Sequence, residues 1–407
     1  MRDNTAGTAL ALGAATAGVA LNLFGRRTPW TRYPWYLPGV AAGISGTELG
    51  ASFAAAQAVA GGLALRLGAG RSRVGTAGLA VAAGTAIGLV DLYRHGADAE
   101  RVLAEALGSD IEPGRARVQP VVTRGIRYHD EAPEQVLDLH RPARPDAPVL
   151  VFVHGGSWVG GSRRGQGTHL IRELVGRGWL CVSIDYRLGP HNRWPSMIVD
   201  VKRAVAWVRA NIQRYGGDPG RIAIAGASAG GHLATLAALS GSDFQPGFER
   251  ADTSVCAAVS LYGVYDLTAR NADGTTRLRD YVRRVMFDTD LADDPETWQA
   301  ASPIFRVAAD SPPLFVVHGD RDEIVSVKQA RRFADRAARE ATRSAYAELP
   351  YAHHGFDSIG SPRTKATVRA VAQFLDRAAH QEPWSTTNAS SGTNFAASIV
   401  PTPEARS

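Results

Sequence analysis

Between residues 122 and 380 short, mainly apolar runs alternate with longer mixed stretches. The runs lie at 149–153, 179–184, 221–225, 256–261, 313–317 and 345–349. Runs of this length with no polar alternation predict strands buried on both faces, as in a parallel sheet covered by helices. The segment 122–141 alternates instead, which predicts an antiparallel hairpin at the start of the sheet. A helix is expected over 231–239, directly after the run at 221–225. The pattern is that of an α/β domain: a mostly parallel, doubly wound sheet with helices on both faces.

The chain before residue 96 has another texture. Residues 4–25 and 74–90 carry no charge, and 33–65 carry only Glu48, while Arg26, Arg27, Arg32, Arg66, Arg71, Arg73 and Arg94 punctuate them. Uncharged runs of about 17–25 residues are long enough to span a bilayer. We expect 1–95 to be a helical apolar region of two or three transmembrane segments, associated with a membrane through residues 4–90. Ala and Gly contribute little insertion energy, so a soluble helical bundle or a lipid-facing cap over the active site is the alternative. The spread of arginines leaves sidedness open, and Glu48 reads as a helix-end or interfacial residue or as a functional group.

Further boundaries follow. Residues 96–121 read as a connector, with a helix over 97–107 and then a Gly/Pro-containing loop. The α/β domain is expected over 122–380. A polar and aromatic insertion lies at 264–310, where Tyr281, Val285, Met286, Phe287 and Trp298 either line a pocket or pack as ordinary core. Residues 381–407, rich in Ser, Thr, Asn and Ala, read as a disordered tail, in which the Asn388-Ala389-Ser390 sequon is a chance match.

Composition narrows the partners. At 407 residues and 45% apolar content, the chain holds one large core plus additions. The net charge of +6 is mild, and no basic cluster interleaves with aromatics, which argues against nucleic acid and fits proximity to anionic lipid. Cys181 and Cys256 sit in or beside apolar runs, so neither a disulfide framework nor metal-ligand spacing is expected.

The candidate chemistry lies where the apolar runs end. The run at 221–225 empties into Gly226-Ala227-Ser228-Ala229-Gly230. A serine flanked by small residues at a strand-to-helix turn is held out above a sheet, because only Gly and Ala let the backbone approach so closely. Such a nucleophile needs a base, a group to orient the base, and donors for an oxyanion. The run at 149–153 ends in His154-Gly155-Gly156-Ser157-Trp158, and the N–H groups of Gly155, Gly156 and Ala229 are the expected oxyanion donors. After the run at 313–317, Asp320, Asp322 and Glu323 compete for the role of orienting acid. After the run at 345–349, His353 and His354 supply candidate bases. His154, His232 and His318 read as structural hydrogen-bonding residues, and Asp185, Arg187 and Asp200 as polar anchors of the oxyanion loop.

These motifs, in this order, resemble the α/β-hydrolase superfamily. Within it they resemble the carboxylesterase branch of hormone-sensitive-lipase-like, feruloyl-esterase-like and prenylcysteine-methylesterase-like enzymes. The resemblance rests on HGGSW at 154–158, DYRLGP at 185–190, YGGDPGRI at 215–222, GASAGGHL at 226–233, HGDRDEIV at 318–325 and HHGF at 353–356. It implies the α/β-hydrolase fold as a catalytic domain over 122–380, with Ser228 as nucleophile, Asp322 as acid and His354 as base, and with the insertion at 264–310 as a cap or lid whose aromatic and apolar side chains could line an acyl pocket. Asp322 is favoured because the family's acid lies four residues after the histidine of the His-Gly pair, and His354 because it directly precedes Gly-Phe. Ser157 in place of a third glycine, and Ala227 where many relatives carry Asp, point away from the lipase-like branch. The implied activity is serine carboxylesterase or lipase-like hydrolysis of a small-molecule or lipid ester, needing neither cofactor nor metal. An arylformamidase-type amide hydrolase is the alternative. A non-catalytic binding protein of this fold fits the intact constellation less well.

Overall fold

A computed structural model of the chain describes residues 4–27, 36–115, 118–268, 276–340 and 343–380. The tail at 381–407 and its sequon therefore lie outside the described residues. The described residues after the amino-terminal helices are built on eight strands: β1 (Val121–Arg127), β2 (Val136–Arg141), β3 (Ala147–Val153), β4 (Leu180–Ile184), β5 (Gly217–Ala227), β6 (Ala258–Leu261), β7 (Leu314–Gly319) and β8 (Ser344–Leu349). They form one sheet in the order β1-β2-β4-β3-β5-β6-β7-β8. β1 pairs with β2 and β2 with β4 antiparallel, as the alternating segment predicts, and every later pairing is parallel. This is the fold class expected from the apolar runs.

The pleat sorts each strand between two cores. Val149, Val151 and Val153 of β3, with Leu180, Val182 and Ile184 of β4, face one side. They meet residues of α6 (Ser196–Asn211), α7 (Ala229–Leu239) and α10 (Val327–Glu340) there. Leu150, Phe152 and Cys181 face the other side, against α5 (Thr168–Gly176) and α11 (Pro362–Ala379). Both faces of β3 and β4 are covered, which is why these strands read as nearly continuous apolar runs, whereas the edge strand β8 alternates between buried and half-buried positions. The insertion supplies α8 (Thr276–Val285) and α9 (Pro295–Ala300). Val285, Met286, Phe287 and Trp298 are buried in the first core, and Phe287 stacks on Trp298 at 4.3 Å. Of the two readings open for these side chains, core packing is the one observed.

The amino-terminal region is helical throughout its described part: α1 (Thr5–Arg26), α2 (Tyr36–Glu48), α3 (Gly50–Arg66) and α4 (Arg73–Leu107). The buried face of α1 is a stripe of small residues, Gly7, Ala11, Ala15, Gly18 and Gly25, which lets helix backbones approach closely. Polar side chains bridge the helices: Gln57 Nε2 donates to Ala14 O at 2.9 Å and Asn22 Nδ2 to Thr85 O at 2.8 Å. The outward faces are apolar, with Val59 and Ile87 each 73% exposed. By length and composition α1 and α4 are long enough to cross a membrane, as is the pair α2 and α3, which is bent by 87°.

Within the run at 33–65 the chain turns sharply at Leu49, which divides the described residues into α2 and α3. The boundary expected at 95/96 falls inside α4, which runs unbroken for 35 residues. Its buried positions, Leu89, Leu92, Gly96, Ala99, Leu103 and Leu107, keep helical spacing across the boundary, and an Arg101–Glu105 ion pair continues its exposed face. The first half of α4 packs in the bundle, and Ala99, Leu103 and Leu107 pack on the sheet.

Candidate active site

The candidate site forms where β3, β5, β7 and β8 end, at the carboxyl edge of the sheet, where open α/β sheets bind ligands. β5 stops at Ala227 and α7 starts at Ala229, so Ser228 is the whole turn. Its φ of 56° lies in the left-handed region that a side chain rarely adopts, and such strain concentrates at functional sites. The turn closes only over glycine: a Cβ on Gly226 would lie 2.1 Å from Gly230 O, and one on Gly230 2.1 Å from Val153 O.

The three carboxylates left open by the residues alone separate cleanly. Asp322 Oδ2 accepts from His354 Nδ1 at 2.8 Å, and His354 Nε2 lies 2.8 Å from Ser228 Oγ. Glu323 Oε2 instead meets His353 Nδ1 at 3.2 Å, and Asp320 Oδ1 accepts the Tyr351 N–H at 2.6 Å. Asp322 Oδ1 is held by the Ile324 and Val325 N–H groups at 2.9 and 2.8 Å. Burial alone would raise the Asp322 carboxyl, but His354 and His318 outweigh it and hold it well below the usual carboxylate range. Burial pushes Asp320 up to about 6, and the pull of Arg321 and of the Tyr351 N–H leaves it there. For His354 burial opposes the charged ring, yet the Asp322 carboxylate, with Glu323 and Asp357 beyond it, keeps the pKa above its ordinary value.

The expected oxyanion loop lies beside this chain of bonds. Gly155 and Gly156 line the same cavity of about 490 Å³ as Ser228 and His354, and Ala229 opens α7 next to the serine. The Gly155 N–H, however, donates to Gln166 Oε1 at 2.7 Å, and Gln166 Nε2 donates back to Gly155 O at 3.3 Å. Gln166 thus clamps the Gly155 peptide and occupies one of the three expected donors. Tyr281 of the insertion reaches the same loop, its hydroxyl donating to Ser157 O at 3.1 Å.

Supporting residues behave as the sequence suggests. His154 Nδ1 lies 2.8 Å from Gly155 O, and its ring stacks on Tyr186 at 4.5 Å. His232 accepts from Trp158 Nε1 at 3.2 Å and faces Ala301 O at 2.8 Å, and burial lowers its pKa to about 4. His318 Nε2 lies 2.9 Å from Val325 O and 3.2 Å from Asp322 Oδ2, so it braces the acid. Asp200 takes Arg187 on both oxygens at 2.9 Å, and Asp185 pairs with Arg163. Sequence reasoning missed Gln166, Tyr262 and Asp357. The Tyr262 ring meets His354 edge-on at 4.7 Å, while its hydroxyl donates to Asp357 on the cavity wall. Nothing in the sequence around these three marks them, since they enter the site only through the fold. Among the described residues no cluster of His, Cys, Asp and Glu is arranged to hold a metal ion.

The chain is similar to known esterases in sequence and in fold. The BD-FAE family model matches residues 137–336. The probable carboxylic ester hydrolase LipM of Mycobacterium tuberculosis (strain ATCC 25618 / H37Rv) is 38% identical over 406 residues, covering 90% of this chain and 92% of its own length. Esterase LipC of the same organism is 47% identical over 263 residues, 62% of this chain and 64% of LipC. Among solved structures, butyrate-bound esterase 2 of Thermogutta terrifontis superposes with a TM-score of 0.54 at 25% identity, over 64% of this chain and 94% of that one. The LipM match is too long to lie in the catalytic region alone and takes in part of the amino-terminal helices. On the sheet order and this near full-length similarity together, the chain belongs to the α/β-hydrolase superfamily and is a carboxylic ester hydrolase.

Proposed function

We propose that the protein cleaves its ester by two-step acyl transfer at Ser228. His354 Nε2 takes the hydroxyl proton as Oγ attacks the ester carbonyl, and then passes it to the departing alcohol. Water, deprotonated by the same nitrogen, releases the acid from the acyl-enzyme. Asp322 keeps the His354 proton on Nδ1 and stabilises the imidazolium. The Gly156 and Ala229 N–H groups receive the oxyanion, and Gly155, clamped by Gln166, keeps the loop in place. The observation that carries this reading is the continuous chain Ser228 Oγ–His354–Asp322, with both links at 2.8 Å.

The substrate we propose is a short- or medium-acyl ester. The cavity is walled by Gly155, Gln166, Thr168, Ile324 and Ser358 rather than by a long apolar channel. Residues 122–380 form the catalytic domain in this reading. The helices α1 and α4, with the bent pair α2 and α3, seat it at a membrane, which suits lipophilic esters, prenylcysteine methyl esters among them. The outward apolar faces of the bundle support that seat.

The test is turnover of a graded acyl-ester panel, with an N-formyl arylamine included, by detergent-purified protein beside its Ser228→Ala variant. Ester turnover lost in Ser228→Ala is the expected result, and its chain-length optimum sizes the pocket. Full activity in Ser228→Ala overturns the mechanism. Faster cleavage of the formamide than of every ester favours the amide-hydrolase alternative.

A further inference from the structure

The loop that carries His354 is held from outside the catalytic region. It runs from Pro350 at the end of β8, and three of its residues are gripped by the amino-terminal helices or by a side chain paired with them. Arg363 Nη2 donates to Pro350 O at 2.9 Å, and the same guanidinium pairs with Glu48 at the end of α2. Both partners of that ion pair are buried, at 2% exposure for Glu48 and none for Arg363. The Tyr351 ring stacks on His95 of α4 at 4.6 Å. His353, also fully buried, turns Nε2 toward Gly25 O at the end of α1, 3.3 Å away, and Nδ1 toward Glu323. The α2 backbone lies so close to this ring that a Cβ on Gly43 would sit 2.7 Å from His353 Cε1.

These contacts share one geometry. His353 and His354 are adjacent, and so are their carboxylate partners, Glu323 and Asp322. One histidine faces the helices and the other faces Ser228, so a shift of the loop moves both. A lone charge at Glu48, in an otherwise uncharged stretch, is costly to bury unless it is paired, so the pair with Arg363 fixes one register between the helices and the loop.

We propose that the amino-terminal helices position the general base. In this reading Glu48, through Arg363 and Pro350, and α1 with Gly43, through His353, hold the loop 350–354 so that His354 Nε2 stays within reach of Ser228. The proposal rests on His354 being the base. It makes the amino-terminal region a requirement for turnover as well as an anchor.

The test uses the full chain in detergent. Gly43→Ala presses a methyl group onto His353, and Glu48→Gln removes the charge of the buried pair. Gly62→Ala, where a Cβ meets nothing within 4 Å, is the control. Displacing a base by a fraction of an ångström to an ångström costs up to about 100-fold, so both variants should lose about 10- to 100-fold in kcat. KM should stay within about threefold, since an interaction made only in the transition state is lost. The kcat of Gly62→Ala should match the parent, and its melting temperature should equal or slightly exceed the parent's, because alanine is the better helix former. Unchanged kcat in folded Gly43→Ala and Glu48→Gln overturns the proposal, as does a loss of kcat that only tracks a fall in melting temperature. Should Glu48→Gln not fold, Gly43→Ala decides alone, because alanine is the better helix former. His354→Ala runs beside them: full turnover there removes the base assignment itself, whereas a dead His354→Ala with an active Gly43→Ala removes the positioning role only.

Discussion

Asp322→Asn is the substitution whose cost the structure specifies most closely. Asp322 Oδ1 accepts two backbone N–H groups, at 2.9 and 2.8 Å. Oδ2 accepts His354 Nδ1 at 2.8 Å and lies 3.2 Å from His318 Nε2. An asparagine must put its NH₂ on one of these sides. Toward Ile324 and Val325 it sets donor against donor twice. Toward His354 it forces Nδ1 to become the acceptor, so the ring proton moves to Nε2. The NH₂ then also faces the His318 Nε2–H, which donates to the Val325 carbonyl. With a proton on Nε2, His354 has no lone pair for the Ser228 hydroxyl. The expected loss is about 10⁴ in kcat, which is the cost of a wrong tautomer in such a triad. At 1.36 kcal/mol per decade this is about 5.5 kcal/mol of transition-state stabilisation. The assay is steady-state hydrolysis of a p-nitrophenyl butyrate series, with Asp320→Asn and Glu323→Gln measured in parallel. The reasoning is refuted if Asp322→Asn stays within tenfold of the parent while Asp320→Asn loses activity.

The pH profile follows from the same charges. His354 must be neutral to accept the serine proton, and its pKa is raised, so kcat/KM should fall as pH drops through a midpoint above the ordinary imidazole value of about 6.5. Asp357→Asn removes one of the negative charges that raise it, and the acid limb should move to lower pH; a shift in the opposite sense contradicts this electrostatic account. Gln166→Ala releases both ends of the Gly155 peptide, and kcat on a short-chain ester should drop by about 10-fold or more, with KM less affected. A gain in kcat would instead mean that Gln166 blocks an oxyanion donor.

The amino-terminal third shows how far pattern reading extends. The runs at 4–25 and 74–90, which carry no charge, and at 33–65, which carries Glu48 alone, announce apolar helices, because so apolar a stretch leaves few other stable choices. Where those helices stop is another matter. The break at Leu49 and the continuity of α4 through residue 96 depend on what packs alongside. Glu48 makes the same point. A single carboxylate in an apolar run is conspicuous, yet its partner lies 315 residues away in α11, and no local pattern connects them.

The succession of mainly apolar runs determined the sheet, because strands covered on both faces bury nearly every position and tolerate few polar side chains. The glycines around Ser228 determined the turn, because a side chain at 226 or 230 would collide with backbone. The order of serine, acids and histidines along the chain determined which residues compete for each role. Choosing among the competitors was left to the tertiary structure. Asp320, Asp322 and Glu323 are nearly alike as acids, and only the path of the loop after β7 sends one to His354, one to His353 and one to a backbone N–H. Gln166, Tyr262 and Asp357 entered the site the same way, brought by folding from separate loops whose local sequence carries no chemical mark. Hydrophobic pattern is a local property and survives in the sequence. Hydrogen-bond partnership is a property of distance in space, and it exists only once the chain has folded.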